Sequence, residues 1–200
     1  MTGKLFVYGE FCKEGSQFHT LENHVEEVHE AKIRGQIFLR ESGYPVYLNR
    51  GEYLVEGQMI EFKASDIIWA LLDQLHGCNK IKPEKSTYFR LNAKVLKQTD
   101  SGQEIDDCFV YAINPEKLPR SARLMEGGAW REYLRKHPPL DRRLTEEQRT
   151  YVKKLANCKG RDIVPIKLPL YRDLMRLGLI VDKGRRLALS SLGKEVSQYL

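Results

Sequence analysis

The residues best placed to do chemistry lie near the start of the chain, in a loop that follows a short apolar run. Leu5-Phe6-Val7-Tyr8 is typical of a buried first strand, and Gly9 and Gly15 bracket the loop after it. Glycine tolerates a positive φ and lets the backbone come close to a ligand. A backbone turned in this way can aim several N–H groups at one point, which holds a small anion. We therefore expect an anion-binding loop here.

The histidines and cysteines show no metal-ligand spacing. His19, His24 and His29 are five residues apart, so on a helix they do not share a face, and we interpret them as surface or loop residues. No two cysteines form a CxxC pair, which makes a zinc finger or thioredoxin chemistry a poor fit. The sequence therefore predicts no metal site, and it shows no cofactor motif. The four cysteines are Cys12, Cys78, Cys108 and Cys158.

The composition is typical of a globular protein. Of the 200 residues, 42% are apolar and 30% are charged, and no stretch reaches the roughly 20 apolar residues that span a membrane. The N-terminus enters a strand at once, without the apolar segment of a signal peptide. Together with the scattered cysteines, these features predict a reduced, cytoplasmic protein with no membrane partner.

The first part of the chain predicts many strands and one clear helix. Alternating apolar residues indicate strands near residues 31–39, 46–48, 53–62, 88–96 and 108–113. The helix runs from Ser65, a candidate N-cap, to Gly77, a candidate C-cap. This mixture predicts an α+β domain with a curved or partly barrel-like mixed sheet rather than a doubly wound one. The apolar face expected for the helix consists of Ile67, Ile68, Leu71, Leu72 and Leu75.

Two consecutive prolines, Pro138 and Pro139, interrupt regular secondary structure, and we predict a domain boundary there. The first domain would span 1–138 and the second 139–200. Thr145 and Gln148 form a capping-box pattern for a helix that ends over Asn157 to Gly160. A helix over 168–177, two short strands and a closing helix follow. Residues 141–200 hold fourteen lysines and arginines against seven acidic residues, whereas the rest of the chain is almost neutral. The second domain is therefore basic, which fits either a nucleic-acid partner or a solvated surface.

Six short motifs, in this order and spacing, resemble those of γ-glutamylcyclotransferase-like proteins over about the first 137 residues. The opening motif and its glycine resemble the family's first loop, and the next four resemble its turn, strands and helix end. The last is similar to a Gly-Asp-Trp sequence near the end of many bacterial members. The motifs are Phe6-Val7-Tyr8-Gly9 with Lys13-Glu14-Gly15, Tyr44-Pro45, Val55-Glu56-Gly57-Gln58, Leu72-Asp73-Gln74-Leu75-His76-Gly77, Tyr88-Phe89-Arg90 and Gly127-Gly128-Ala129-Trp130.

The resemblance implies a pocket beside the first loop and an acyl-transfer or lyase-type reaction on a small substrate. The free α-amine of a γ-glutamyl compound attacks its own γ-carbonyl, 5-oxoproline forms and the amine leaves. The backbone N–H groups of Tyr8, Gly9, Glu10 and Phe11 would hold the α-carboxylate. Fixed donors would stabilise the oxyanion, and a side chain would move the proton between the two nitrogens. Two further candidates for binding or supporting the substrate are Tyr88 and Arg90.

The sequence departs from the family pattern at two positions, which supply the candidate catalytic residues. His76 stands where the family has its acid/base glutamate, and Glu10 stands where it has a small Thr or Ser. Either could carry a proton. Alternatively, His76 binds free carbonyls at a helix end, and Glu10 faces solvent or repels the substrate carboxylate. The helix dipole would favour a charged His76, whereas burial would oppose it.

Two cysteines lie close to these motifs. A thiol near His76 could act as a nucleophile, which makes Cys12 and Cys78 candidates for that role. The simpler interpretation, which we favour, is that both are small buried apolar residues.

The end of the chain resembles the last part of a winged helix. Leu174 to Ile180 is similar to the end of a recognition helix, and Arg185 to Gly193 is similar to the wing that follows. Lys183, Arg185 and Arg186 would be the candidate contacts to nucleic-acid phosphates. The alternative to an enzyme is thus a non-catalytic module that binds a small ligand, while its basic C-terminal domain contacts DNA or a protein partner.

Overall fold

The computed structural model describes residues 2–158 and 162–200. Its contacts divide the chain into two compact units. The first comprises Met1–Arg40 and Tyr44–Arg135, and the second comprises Glu41–Gly43 and Lys136–Leu200. No helix within the described ranges is long and apolar enough to cross a membrane.

From residue 2 onward, where its description begins, the first unit contains six strands and three helices. The strands are β1 (Thr2–Val7), β2 (Val25–Leu39), β3 (Pro45–Lys63), β4 (Tyr88–Thr99), β5 (Gly102–Ile113) and β6 (Arg123–Met125). The helices are α1 (His19–Glu22), α2 (Asp66–Leu75) and α3 (Trp130–Lys136); the last residue of α3, Lys136, belongs to the second unit.

Five of these strands close into a barrel. The strand order is β3-β1-β5-β4-β2, and β2 also pairs with β3, which completes the ring. β1 runs parallel to β5, and the other pairs in the ring are antiparallel. β6 adds to β2 outside the ring. The predicted α+β fold with a mixed, partly barrel-like sheet is confirmed.

One face of the strands forms the apolar interior of this barrel. Phe6, Ile33, Met59, Val95 and Val110 come from the five strands of the ring, and each is at most 2% exposed. Residues opposite one another in the ladders share a face, and the pairs Phe6–Met59 and Ile33–Val95 obey this rule. The opposite face of the sheet, at β3 and β5, carries α2.

Helix α2 begins and ends as predicted, but its buried face differs from the prediction. The Ser65 hydroxyl accepts from Ile68 N–H, and Gly77 adopts φ 61° just beyond the helix end. Ile68 and Leu72 are buried, whereas Ile67, Leu71 and Leu75 are exposed. The prediction that all five apolar residues form the buried face is therefore wrong, because a helix on the outside of a barrel is covered along one narrow stripe.

Two further predictions in this unit need correction. Residues 46–48 and 53–62 belong to one long strand, β3, which bulges by four residues opposite the step from Gly35 to Gln36 in β2. Gly51 takes φ 92° inside this bulge. His29 lies on β2 and is partly buried, so it is not a loop residue, although His19 and His24 are exposed.

Among its described residues, the second unit contains four helices and a hairpin around its own core. They are α4 (Leu140–Arg143), α5 (Glu146–Asn157), α6 (Leu168–Arg176), β7 (Ile180–Asp182), β8 (Leu187–Leu189) and α7 (Ser191–Ser197). The predicted capping box is present, because Thr145 and Gln148 bind each other's backbone N–H. α5 ends at Asn157, and Gly160 lies outside the described residues. Val152, Leu174 and Val196 are fully buried in the core of this unit.

Candidate active site

The first loop is a tight turn in which the two glycines have different functions. Gly9 takes φ 64° and opens a 3-10 turn over Gly9–Phe11. Gly15, in contrast, does not have a positive φ. A Cβ at Gly15 would lie 2.1 Å from the carbonyl oxygen of Glu10, so this position requires glycine for space.

Glu10 is buried and braces this loop. Its Oε2 accepts hydrogen bonds from Ser16 N–H at 3.0 Å and from the Ser16 hydroxyl at 2.7 Å. Its carbonyl accepts from Gln17 N–H at 2.8 Å. Only 8% of the residue is exposed, so the solvent-facing alternative is wrong. The proposed proton transfer by Glu10 stays a prediction.

His76 is the C-cap of α2, and its hydrogen bond fixes the tautomer. Nδ1 lies 2.8 Å from the carbonyl oxygen of Leu72. A carbonyl oxygen only accepts, so Nδ1 carries the hydrogen and Nε2 carries the lone pair whenever the ring is neutral. This contact matches the alternative in which His76 binds a carbonyl at the helix end. It also leaves Nε2 as a potential base, so the two interpretations are compatible.

Three aromatic side chains surround the His76 ring. Tyr111 stacks on it at 3.8 Å between ring centroids, with an angle of 5° between the planes. Phe11 from the first loop lies at 4.8 Å, and the edge contact with Tyr88 is at 5.7 Å. The structure thus joins the loop, the helix end and two strands around one imidazole, which brings together three of the predicted site residues.

The pKa of His76 is lowered by these surroundings. Burial of the ring lowers it to about 4, although the hydrogen bond with Leu72 and the charge of Asp73 act in the opposite direction. Burial therefore outweighs the helix dipole, whose favourable effect on a cation is small. At neutral pH, His76 is uncharged and its Nε2 can accept a proton.

Asp73 and Tyr111 form a support beneath His76 that the sequence analysis missed. The Tyr111 hydroxyl donates to Asp73 Oδ1 at 2.9 Å, and Asp73 is buried. Arg90 and Lys80 lie 3.4 and 3.0 Å from the two carboxylate oxygens. Asp73 belongs to one of the quoted motifs, so its position was available as a signal, whereas the stacking of Tyr111 depends on the tertiary fold.

The other predicted binding residues are placed around this support. The Arg90 guanidinium lies 4.6 Å above the Trp69 ring as well as beside Asp73. Tyr8 donates its hydroxyl to the Tyr111 carbonyl at 2.9 Å. The Tyr88 hydroxyl accepts from Arg40 at 2.8 Å. Each makes contacts that fix the fold of the site, and their contact with a substrate stays a prediction.

The two cysteines near the motifs are held as thiols. Burial raises the pKa of Cys12 to about 12 and that of Cys78 to about 11. The Cys78 thiol donates to the Tyr88 carbonyl at 2.9 Å, and the Cys12 thiol to the Val7 carbonyl at 3.6 Å. A protonated thiol is a poor nucleophile. Cys12 is buried as expected, whereas Cys78 is only partly buried.

The last motif of the first unit anchors the chain to the barrel. The Trp130 indole N–H donates to the Glu56 carbonyl at 2.6 Å. A Cβ at Gly128 would lie 2.4 Å from the Leu54 carbonyl oxygen, so the backbone there lies directly on β3. These contacts explain why the motif combines glycine with tryptophan.

Comparison with known families identifies the first unit. Residues 5–132 match the family described as Gamma-glutamyl cyclotransferase, AIG2-like. The chain belongs to this family. The match ends at residue 132, before the C-terminal segment that resembles a winged helix, so that resemblance stays a prediction. No curated protein matches the chain.

Several solved structures are similar to parts of the chain. YkqA from Bacillus subtilis is 24% identical with a TM-score of 0.47, over 67% of this chain and 41% of its own. An AIG2-like protein from Mus musculus is 19% identical with a TM-score of 0.43, over 58% and 82%. A protein described as a gamma-glutamyl cyclotransferase is 15% identical with a TM-score of 0.42, over 88% and 99%. The chain thus spans less than half the length of YkqA.

The candidate phosphate contacts lie in the second unit. Lys183, Arg185 and Arg186 are exposed at the turn between β7 and β8. Gly184 takes φ 79° in this turn. Arg176 is exposed on α6, where it pairs with Asp173 at 2.9 Å. Contact of these cations with nucleic acid stays a prediction.

Proposed function

We propose that this chain releases 5-oxoproline from a γ-glutamyl amine or a related small substrate, with His76 as the proton carrier. The α-amine attacks the γ-carbonyl carbon and a C–N bond forms to close the lactam. The bond to the leaving nitrogen then breaks. His76 Nε2 takes the proton from the attacking amine and gives it to the leaving amine, so no other reactant is needed.

The observation that carries this proposal is the fixed, neutral imidazole at the position of the family's glutamate. Leu72 holds Nδ1–H, so Nε2 is the basic atom. A pKa of about 4 gives it roughly the basicity of a glutamate side chain, whose usual pKa is about 4.3. The imidazolium formed during transfer would be stacked on the Tyr111 ring, whose face attracts a cation.

The loop would bind the substrate carboxylate through the backbone of Tyr8, Gly9, Glu10 and Phe11. The 3-10 turn over Gly9–Phe11 supports this proposal, because it gathers consecutive N–H groups beside the ring contact between Phe11 and His76. Ser16 binds the Glu10 carboxylate through two hydrogen bonds. We therefore assign catalysis to His76 first, and Glu10 mainly stabilises the loop.

Mass-spectrometric detection of 5-oxoproline tests the proposal. The full chain is incubated with a panel of γ-glutamyl amines and γ-glutamyl amino acids, beside His76→Gln and Glu10→Ala. In His76→Gln the new amide can still donate to the Leu72 carbonyl but cannot carry a proton, so product should fall by at least about 100-fold. Undiminished product in His76→Gln, with an unchanged circular dichroism spectrum, would exclude His76 as the proton carrier.

We also propose a second candidate function, a ligand-binding module whose basic second unit contacts DNA. The exposed turn with Lys183, Arg185 and Arg186 supports it, because three cations lie within four residues. The test is a salt-dependent mobility shift with duplex DNA that is lost when all three become alanine. Absence of a shift at low salt would leave a protein partner as the remaining option for this surface.

We propose a cytoplasmic location because the cysteines form no disulfide bond among the described residues. Cys12, Cys78, Cys108 and Cys158 are all free thiols, which suits a reducing compartment. Imaging of a tagged chain in cells would test this.

A further inference from the structure

A cluster of charged side chains occupies one end of the barrel, away from the candidate active site. All five strands of the ring contribute to it. Lys4 and Asp106 lie toward the starts of the parallel strands β1 and β5, whereas Tyr8 and Tyr111 lie toward their ends. Lys4 and Tyr8 are therefore separated by about 13 Å along the chain. The cluster consists of Lys4, Glu27, His29, Glu61, Lys97 and Asp106.

The register places these side chains on the interior face of the barrel. Glu61 is opposite both Lys4 and Glu27 in its two ladders, and Asp106 is opposite the core residue Val95. Directly opposite residues share a face. His29 and Glu61 are each partly covered, at 20% and 18% side-chain exposure. The cluster therefore continues the core row to the mouth of the barrel.

Within the cluster, Asp106 binds both lysines more closely than Glu61 does. Lys4 Nζ lies 2.6 Å from Asp106 and 4.0 Å from Glu61, and Lys97 Nζ lies 3.1 and 3.5 Å from them. Burial alone would raise the pKa of Asp106, but hydrogen bonds from Lys4 and Lys97 lower it to about 2. Glu61 can thus engage another cation while both lysines keep a carboxylate partner.

Glu61 also faces a second carboxylate and an imidazole. Glu27 is directly opposite Glu61 in the β2–β3 ladder, and like charges in that position repel. Nε2 of His29 lies 2.9 Å from Glu27 and 3.8 Å from Glu61. One ligand atom from each of the three residues lies within 4.8 Å of the other two. Ligand atoms that share one Zn²⁺ each lie about 2 Å from it, so these three side chains must move closer together to bind it.

We propose that Glu27, His29 and Glu61 bind a divalent first-row transition ion such as Zn²⁺. One imidazole nitrogen and two carboxylate oxygens suit Zn²⁺, and water would complete a four-coordinate site. The imidazole argues against Mg²⁺ and Ca²⁺, which prefer oxygen ligands. The ion offsets the repulsion between the two glutamates and joins β2 to β3 at the mouth of the barrel. It does not take part in the proposed reaction, which is at the other end.

Titration of the metal-free full chain with Zn²⁺ by calorimetry tests this site. We expect one ion per chain and weakening by at least about 10-fold in His29→Gln and in Glu61→Gln. Saturating Zn²⁺ should raise the Tm of the wild type by roughly 5 °C and that of His29→Gln by clearly less. Glu27→Gln changes an exposed side chain, so it tests the site even if Glu61→Gln folds poorly.

The control is His24→Gln, which removes an exposed histidine of the same segment and should bind as the wild type does. Co²⁺ in place of Zn²⁺ should give an absorption spectrum without a thiolate charge-transfer band, which separates this site from the cysteines. The proposal is overturned by the absence of Zn²⁺ binding, or by binding that His29→Gln and Glu27→Gln leave unchanged. Because none of these readouts is catalytic, they do not depend on the proposed function.

Discussion

The imidazole at position 76 and the glutamate that the family resemblance expects there differ in charge. Burial brings the pKa of His76 to about 4, close to that of a carboxyl group. A glutamate is negatively charged before it takes the proton from the substrate amine, and it is neutral afterwards. The imidazole is neutral before this transfer and positively charged afterwards. With histidine in place of glutamate, the charged form of residue 76 is therefore the one present after proton transfer instead of the one present before it.

His76→Glu should consequently increase the release of 5-oxoproline from γ-glutamyl amines, by about 10-fold or more, a fraction of the usual acid–base contribution. The measurement is kcat/KM by mass spectrometry across the same substrate panel. His76→Gln is the matched control, because it lacks a titratable group. Equal activity in the glutamate and glutamine variants would show that position 76 does not carry the proton.

At the scale of an element, the barrel covers only a narrow part of the apolar side of helix α2. Leu72 is fully buried against the barrel, whereas Leu71 is 41% exposed. Leu72→Ala should lower the free energy of unfolding by about 2–5 kcal/mol, because it leaves a cavity. Leu71→Ala should change it by less than about 1 kcal/mol. Urea unfolding followed by circular dichroism distinguishes the two, and equal losses would contradict the observed face of α2.

The sequence predicted those parts of each element that depend on near neighbours. The Ser65 cap, Gly77 after α2 and the Thr145–Gln148 capping box all involve residues close in the chain, and all are present. The α+β barrel followed from strand content and the motifs. Exposure of Ile67 was missed because periodicity shows that a helix has an apolar side but not how much of it a curved sheet covers.

The contacts that the sequence could not predict connect distant residues. The Tyr111 ring stacks on His76, 35 positions away in the sequence, and Glu61 meets His29 only because β2 pairs with β3. The five-residue spacing of the histidines excludes a shared face on a helix, but it does not exclude a cluster formed between strands. On strands the partner comes from another segment, so spacing within one segment carries no information about it.

At the scale of the whole molecule, His76 should make stability sensitive to acid. Its pKa is about 4 in the folded state and about 6.5 in an unfolded chain. Between these values the unfolded chain binds a proton that the folded chain does not. The free energy of unfolding is therefore not reduced by His76 above pH 6.5. It falls by up to about 3 kcal/mol as the pH is lowered to 4.

Urea unfolding between pH 7 and pH 4 measures this effect. His76→Gln should lose part of the slope over that interval, and His24→Gln, which changes an exposed histidine, should keep the slope of the wild type. If both variants and the wild type share one slope, other groups determine the acid sensitivity of the fold.

The position of β1 in the ring has a consequence for how the protein is made. β1 pairs on one side with β3 and on the other with β5, where Leu5 meets Phe109. During synthesis, about a hundred residues must be added after β1 before β5, its second partner, has been made. Until then the nascent barrel is open along β1, and a neighbouring nascent chain could pair with that edge. Rapid translation through residue 113, or a chaperone that covers β1, would shorten this vulnerable interval.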